Sequence, residues 1–204
     1  MPHARKKSPT ILDPRGVLVF TTRALGRQAG SVREETRTIP APADLRVELA
    51  EVPAGADVEM SVRLEAVTEG VLVTGTATVP VSGECARCLE PLATSVEASF
   101  QELYAYEPDS AEADDDGLVL DGDLLDLEPV FRDAVVLALP LSPLCTDDCP
   151  GLCAECGVRL ADAGPGHQHG DAVLPQWEAL RQFDRSDLHD RTGRHDGAGD
   201  LQEG

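Results

Sequence analysis

Apolar and polar residues alternate through the middle of the chain. Val58, Met60, Val62 and Leu64 are separated by Glu59, Ser61, Arg63 and Glu65, so the segment 58–67 has one apolar and one polar face. A period of two belongs to a strand with one face on a core and the other in water. The segments LRVEL (45–49), VLVTGTATVPV (71–81) and SVEASFQELY (95–104) have the same character. The turn signals PAGAD and EG separate strands at hairpin spacing, which predicts antiparallel pairing. Upstream, VFTTRALGRQAGSVREETRTIP reads as one short strand-like piece with turns at Gly26 and Gly30.

Downstream the period changes. In DLEPVFRDAVVLALP, Leu127, Val130, Phe131, Ala134 and Ala138 share one helical face. Asp126 is placed to cap this helix, Glu128 suits its first turn, and Pro140 ends it. The prediction is an α+β fold: an antiparallel sheet or open β-barrel, one main packed helix, and a small Cys-rich C-terminal appendage. A second, short amphipathic helix is predicted at 174–183, using Trp177 and Leu180.

Charge refines this layout. The formal net charge is −20, but residues 1–40 carry eight Lys/Arg against three Asp/Glu, while the remainder carries nine against thirty-four. Residues 1–11 read as a disordered basic arm and 12–140 as the core. Within that core, 107–123 holds eight acidic residues and no basic one, a solvated loop. Residues 141–183 form the Cys-rich segment with the short helix, and the polar, Gly-rich 184–204 reads as a disordered tail. A body this acidic repels phosphate and disfavours broad contact with nucleic acid. The apolar run Val17–Phe20 is too short for a signal-peptide core, and no window approaches a membrane span. A cytoplasmic protein without membrane contact is the expectation. In a reducing compartment six cysteines point to metal or redox chemistry rather than structural disulfides.

Four of those cysteines fall in LCTDDCPGLCAECGVRL: Cys145, Cys149, Cys153 and Cys156. Four thiolates suit zinc in a closed, structural tetrahedron. In CAECG, two cysteines flank a two-residue turn and Gly157 supplies a permissive exit, while Pro150 and Gly151 bend the chain between pairs. Only Pro-Gly-Leu links the two pairs, far less than the usual gap between zinc-binding pairs. Cys85 and Cys88 in GECARCLEP form another two-residue spacing at a hairpin tip, followed by Leu89 where such turns favour glycine. Three arrangements are open: zinc on Cys145, Cys149, Cys153 and Cys156; zinc on Cys85 and Cys88 with Cys153 and Cys156; or reduced thiols without metal. His167 and His169, in a Gly/Pro-rich loop, could be further ligands or simply solvated.

A reactive dithiol needs a thiolate beside positive charge or a helix N-terminus. Arg87 offers some support, but Asp147, Asp148 and Glu155 oppose it, and the flanks of Cys85 and Cys88 read β-turn-β. The phosphate-cradling and metalloprotease motifs are missing, and all five histidines are His3 or lie beyond residue 166. No enzymatic activity is expected.

The segments VSGECARCLEPLATSVEASFQELY, DLEPVFRDAVVLALPLSPLCTDDCPGLCAECGVRL and LPQWEALRQF, in this order and spacing, resemble the YceD family. VFTTRALGRQAG is similar to its actinobacterial branch, and the resemblance covers roughly residues 12–183. It implies a non-catalytic ribosome-biogenesis factor supporting accumulation or processing of the 23S rRNA of the large subunit. The implied partner is a pre-large-subunit ribosomal particle or a ribosomal protein, and the acidic body argues against direct RNA contact. The resemblance places the family's paired cysteines on Cys85 and Cys88 and its late cluster on Cys145, Cys149, Cys153 and Cys156. Many members carry further cysteines where this chain has His167 and His169. It transfers no catalytic residue. A zinc-containing adaptor or regulator unrelated to ribosomes, and a thiol-based redox protein, are the competing functions.

Overall fold

The computed structural model describes residues 12–106 and 118–169. The basic arm 1–11, the stretch 107–117, the short helix predicted at 174–183 and the tail 184–204 lie outside the described residues. The chain separates into two compact units, Met1–Leu152 and Cys153–Gly204.

The described residues of the first unit form antiparallel sheet with one helix. Its strands are β1 (Val19–Thr21), β2 (Val32–Pro40), β3 (Ala50–Glu51), β4 (Asp57–Ala66), β5 (Gly70–Glu84), β6 (Pro91–Ala105) and β7 (Leu124–Asp126); the helix α1 spans Glu128–Ala138. The main sheet is open. β5 is its spine, paired with β6 along its whole length on one edge and with β4 and then β3 on the other, while β2 pairs with β4. β1 and β7 form a separate two-stranded ribbon.

The period-two reading of β4 and β5 holds residue by residue. Val58, Met60, Val62 and Leu64 are buried, as are Val71, Val73, Ala77, Val79 and Val81. Phe20, Leu125, Leu127 and Phe131 complete this core from the ribbon and the helix. Aliphatic burial is its main source of stability, at roughly 1.5–3 kcal/mol for each fully covered large side chain. Tyr104 of β6 is also enclosed, and its hydroxyl donates to the Asp126 carbonyl at 2.7 Å. Burial, then the nearby Asp126 and Glu102, push the Tyr104 phenol above its ordinary range.

Four local expectations change. The strand predicted at 45–49 is a tight reversal instead: Val47 N–H donates to Ala50 O, and pairing with β5 begins at Ala50. β2 is a nine-residue strand where only a short piece was expected. Asp126 serves the start of α1 from one residue further out than expected: it is the last residue of β7, paired with Val19, and the cap position falls to Leu127. Asp126 Oδ1 accepts from Glu128 N–H at 3.0 Å. The end of the acidic stretch is not loop alone: Leu120 is buried, and Ala105 N–H donates to Leu118 O. Leu120 finds cover beside β6, which a carboxylate could not, while Val119 stays exposed.

Among the described residues no helix is long and apolar enough to cross a membrane.

Candidate metal centres

The long β5–β6 hairpin projects its tip, residues 85–90, beyond the end of β5. There Cys85 O accepts from Leu89 N–H at 2.9 Å, and Cys85 N–H donates to Glu90 O at 2.8 Å. The turn requires a left-handed residue after the second cysteine, and Leu89 adopts it with φ +60°. In the second unit the same pattern recurs. Cys153 O accepts from Gly157 N–H at 2.9 Å, Cys153 N–H donates to Val158 O at 2.8 Å, and Gly157 has φ +72°. Both Cys-x2-Cys pairs are therefore built as the same knuckle, in which both sulfurs point to one side and backbone N–H groups face them.

Each knuckle meets its own second pair. The chain after α1 returns to the hairpin tip: Ala86 N–H donates to Pro143 O, Leu152 N–H to Arg87 O, and the Arg87 guanidinium to Cys149 O at 3.0 Å. Gly151, at φ +80°, passes so near that a Cβ there would stand 3.2 Å from the Arg87 carbonyl oxygen. These contacts bring Cys145 and Cys149 onto Cys85 and Cys88, and the four sulfurs lie within 4.8 Å of one another. Four sulfurs each about 2.3 Å from a tetrahedral centre stand about 3.8 Å apart. The separations Cys85–Cys149, 3.8 Å, and Cys88–Cys145, 3.7 Å, have that length. They are also far beyond the S–S bond length of about 2.05 Å, and all six thiols are free.

The thiols of this centre are shifted in opposite directions. Cys85, Cys88 and Cys149 are buried in a small cluster with Leu92, Leu144 and Leu152. Burial opposes ionisation of Cys85, but N–H donors from Cys145, Arg87 and Cys88 outweigh it and hold the thiol down at about 6. Cys149 is pushed up to about 12, by burial first and then by the crowding thiols. A second thiolate beside Cys85 would need a neutralising ion, because burial and crowding favour the protonated form of its neighbours.

In the second unit Cys153, Cys156, His167 and His169 also converge, with donor atoms within 4.8 Å. Backbone N–H of Cys156, the His167 ring and backbone N–H of Glu155 lower the Cys153 thiol to about 6.

The structure thus groups the six cysteines differently from both metal arrangements read from the sequence. Cys145 and Cys149 stand with Cys85 and Cys88, not with Cys153 and Cys156; the latter stand with the two histidines. One signal was available: the Pro-Gly-Leu link is far shorter than the usual gap between zinc-binding pairs.

The profile of the family described as large ribosomal RNA subunit accumulation protein YceD matches residues 73–184. The chain belongs to the YceD family. Uncharacterized proteins of Mycobacterium bovis and Mycobacterium tuberculosis are each 47% identical to it over 161 residues, 76% of either chain. An uncharacterized protein of Mycobacterium leprae is 40% identical over 186 residues, 89% of this chain and 83% of its own. These relatives agree with the actinobacterial branch of the YceD family. No solved structure matches the chain. The matched region of this YceD member begins inside β5 and takes in all six cysteines and both histidines.

Proposed function

We propose that the protein is a non-catalytic ribosome-biogenesis factor that supports accumulation and processing of 23S rRNA. The observation that carries this reading is the family match over 73–184, whose description concerns the large ribosomal RNA subunit. The four-cysteine centre would hold a structural zinc ion. Four protein ligands complete a tetrahedron and leave no position for a substrate, as in closed structural sites. The ion would clamp the chain after α1 onto the hairpin tip and so fix one end of the sheet. A thiol-exchange role is less well supported at the hairpin tip, because Cys85, whose thiol is held low, is fully enclosed.

The acidic body directs the choice of partner. Residues 41–204 carry a large excess of Asp and Glu, which suits a basic ribosomal protein or a precursor particle presenting one, rather than RNA phosphate.

Deleting the gene in its own host is expected to lower mature 23S rRNA relative to 16S rRNA and to raise 23S precursors. Unchanged ratios would overturn the reading. A native-salt pull-down is expected to recover large-subunit precursors.

A further inference from the structure

We infer that residues 153–169 form a second zinc site, made by Cys153, Cys156, His167 and His169, which fills separately from the four-cysteine centre. The chain then carries two structural zinc ions with no shared ligand. This does not rest on the ribosomal reading.

The donor spacings suit a zinc ion. A sulfur at about 2.3 Å and a nitrogen at about 2.05 Å from one tetrahedral centre stand about 3.6 Å apart. Cys156 Sγ and His167 Nε2 are 3.6 Å apart. Two such nitrogens would stand about 3.3 Å apart. His167 Nε2 and His169 Nε2 approach to 3.0 Å, with rings nearly perpendicular at 83°, so a shift of a few tenths of an ångström accommodates the ion.

The far side of the His169 ring is also engaged. His169 Nδ1 lies 3.4 Å from Glu155 Oε2, and Glu155 belongs to the knuckle itself, between Cys153 and Cys156. A carboxylate there draws the ring proton to Nδ1 and leaves the Nε2 lone pair facing the cysteines. This carboxylate–histidine pairing orients metal-bound imidazoles and raises their basicity.

Among the described residues neither apolar cluster includes a side chain beyond Leu152. Val158 and Leu160 remain 38% and 37% exposed. A segment without a core that nevertheless converges four ligand atoms is the situation in which metal binding supplies folding free energy.

The test uses the full chain without an affinity tag containing histidine. Metal content is measured for the wild type and for the double variant His167→Ala, His169→Ala. The expected contents are two zinc ions per chain and one, with the thermal unfolding of the first unit retained in the variant. Equal contents in the two proteins, at whatever value, would overturn the inference. One ion in the wild type and none in the variant would uphold this site and sink the zinc reading of the four-cysteine centre. Cobalt loading gives an independent readout. The wild-type minus variant spectrum is expected to show tetrahedral d–d bands with the charge-transfer intensity of two thiolates; a featureless difference contradicts the site. Glu155 is a positioning residue, and Glu155→Gln is expected to weaken the second ion about 10-fold in chelator competition while leaving the first unchanged. Loss of both ions together would contradict separate filling.

Discussion

Leu89 is the residue whose conformation least suits its side chain. Its φ of +60° costs a non-glycine residue roughly 1–2 kcal/mol, and its side chain is 55% exposed, so little packing offsets the strain. Leu89→Gly is therefore expected to stabilise the protein by up to about 1 kcal/mol, read by urea unfolding, part of the relief being offset by the freer unfolded chain. The equivalent Gly157 runs the other way: Gly157→Ala is expected to weaken metal binding at its knuckle by about 1 kcal/mol, read by chelator competition. Tyr104 tests buried polarity. Tyr104→Phe leaves the Asp126 carbonyl without its donor and is expected to cost about 1–2 kcal/mol at neutral pH. Because the folded phenol is raised above its ordinary value, its contribution is complete below about pH 10 and fades as pH climbs further, where the unfolded chain releases the proton first. The stability gap between wild type and Tyr104→Phe should narrow in that range. A gap that widens would refute the assigned cause.

At the scale of elements, the strand that alternation concealed is informative. In β2, Arg33, Glu35, Arg37 and Ile39 are the more covered positions, yet only Ile39 is apolar. Arg37 and Arg33 pair with Glu35 at 2.6 and 3.1 Å, and the Arg37 guanidinium lies 4.0 Å from the Phe20 ring centroid. The repeat of two was present in the sequence but written in charges, so a hydrophobic criterion passed over it. β4 and β5 were legible because their covered positions face an aliphatic core. The four-cysteine centre joins two elements far apart in sequence, the hairpin tip and the chain after α1. Chelation of the proposed ion is expected to release amide exchange at Ala86 and Leu152, whose N–H groups bind across that junction, while β4 and β5 stay protected. Uniform loss of protection across the sheet would show that the centre supports the entire first unit rather than this junction.

At the scale of the whole molecule, charge governs association. Beyond residue 40 nine Lys/Arg stand against thirty-four Asp/Glu, so the proposed capture of a basic ribosomal protein would be salt-sensitive. Raising ionic strength from about 0.05 to 0.5 M shortens the screening length severalfold and is expected to reduce recovery of ribosomal particles by tenfold or more. Salt-independent recovery would point to an apolar interface instead. The sequence by itself determined the class of fold, the hairpins, the helix and the family, because these follow from local period, turn chemistry and ordered motifs. It also marked Cys153 and Cys156 as a knuckle, since a two-residue spacing followed by glycine is a local property, whereas Leu89 argued against the same turn at Cys85 and Cys88. Which pair closes on which knuckle was decided only by the tertiary structure. That choice depends on where the chain after α1 returns to the β5–β6 tip and on the turn that carries His167 and His169 back to Cys153 and Cys156. Spacing along the chain cannot encode it, because a metal ion reads distances between donor atoms rather than separations in sequence.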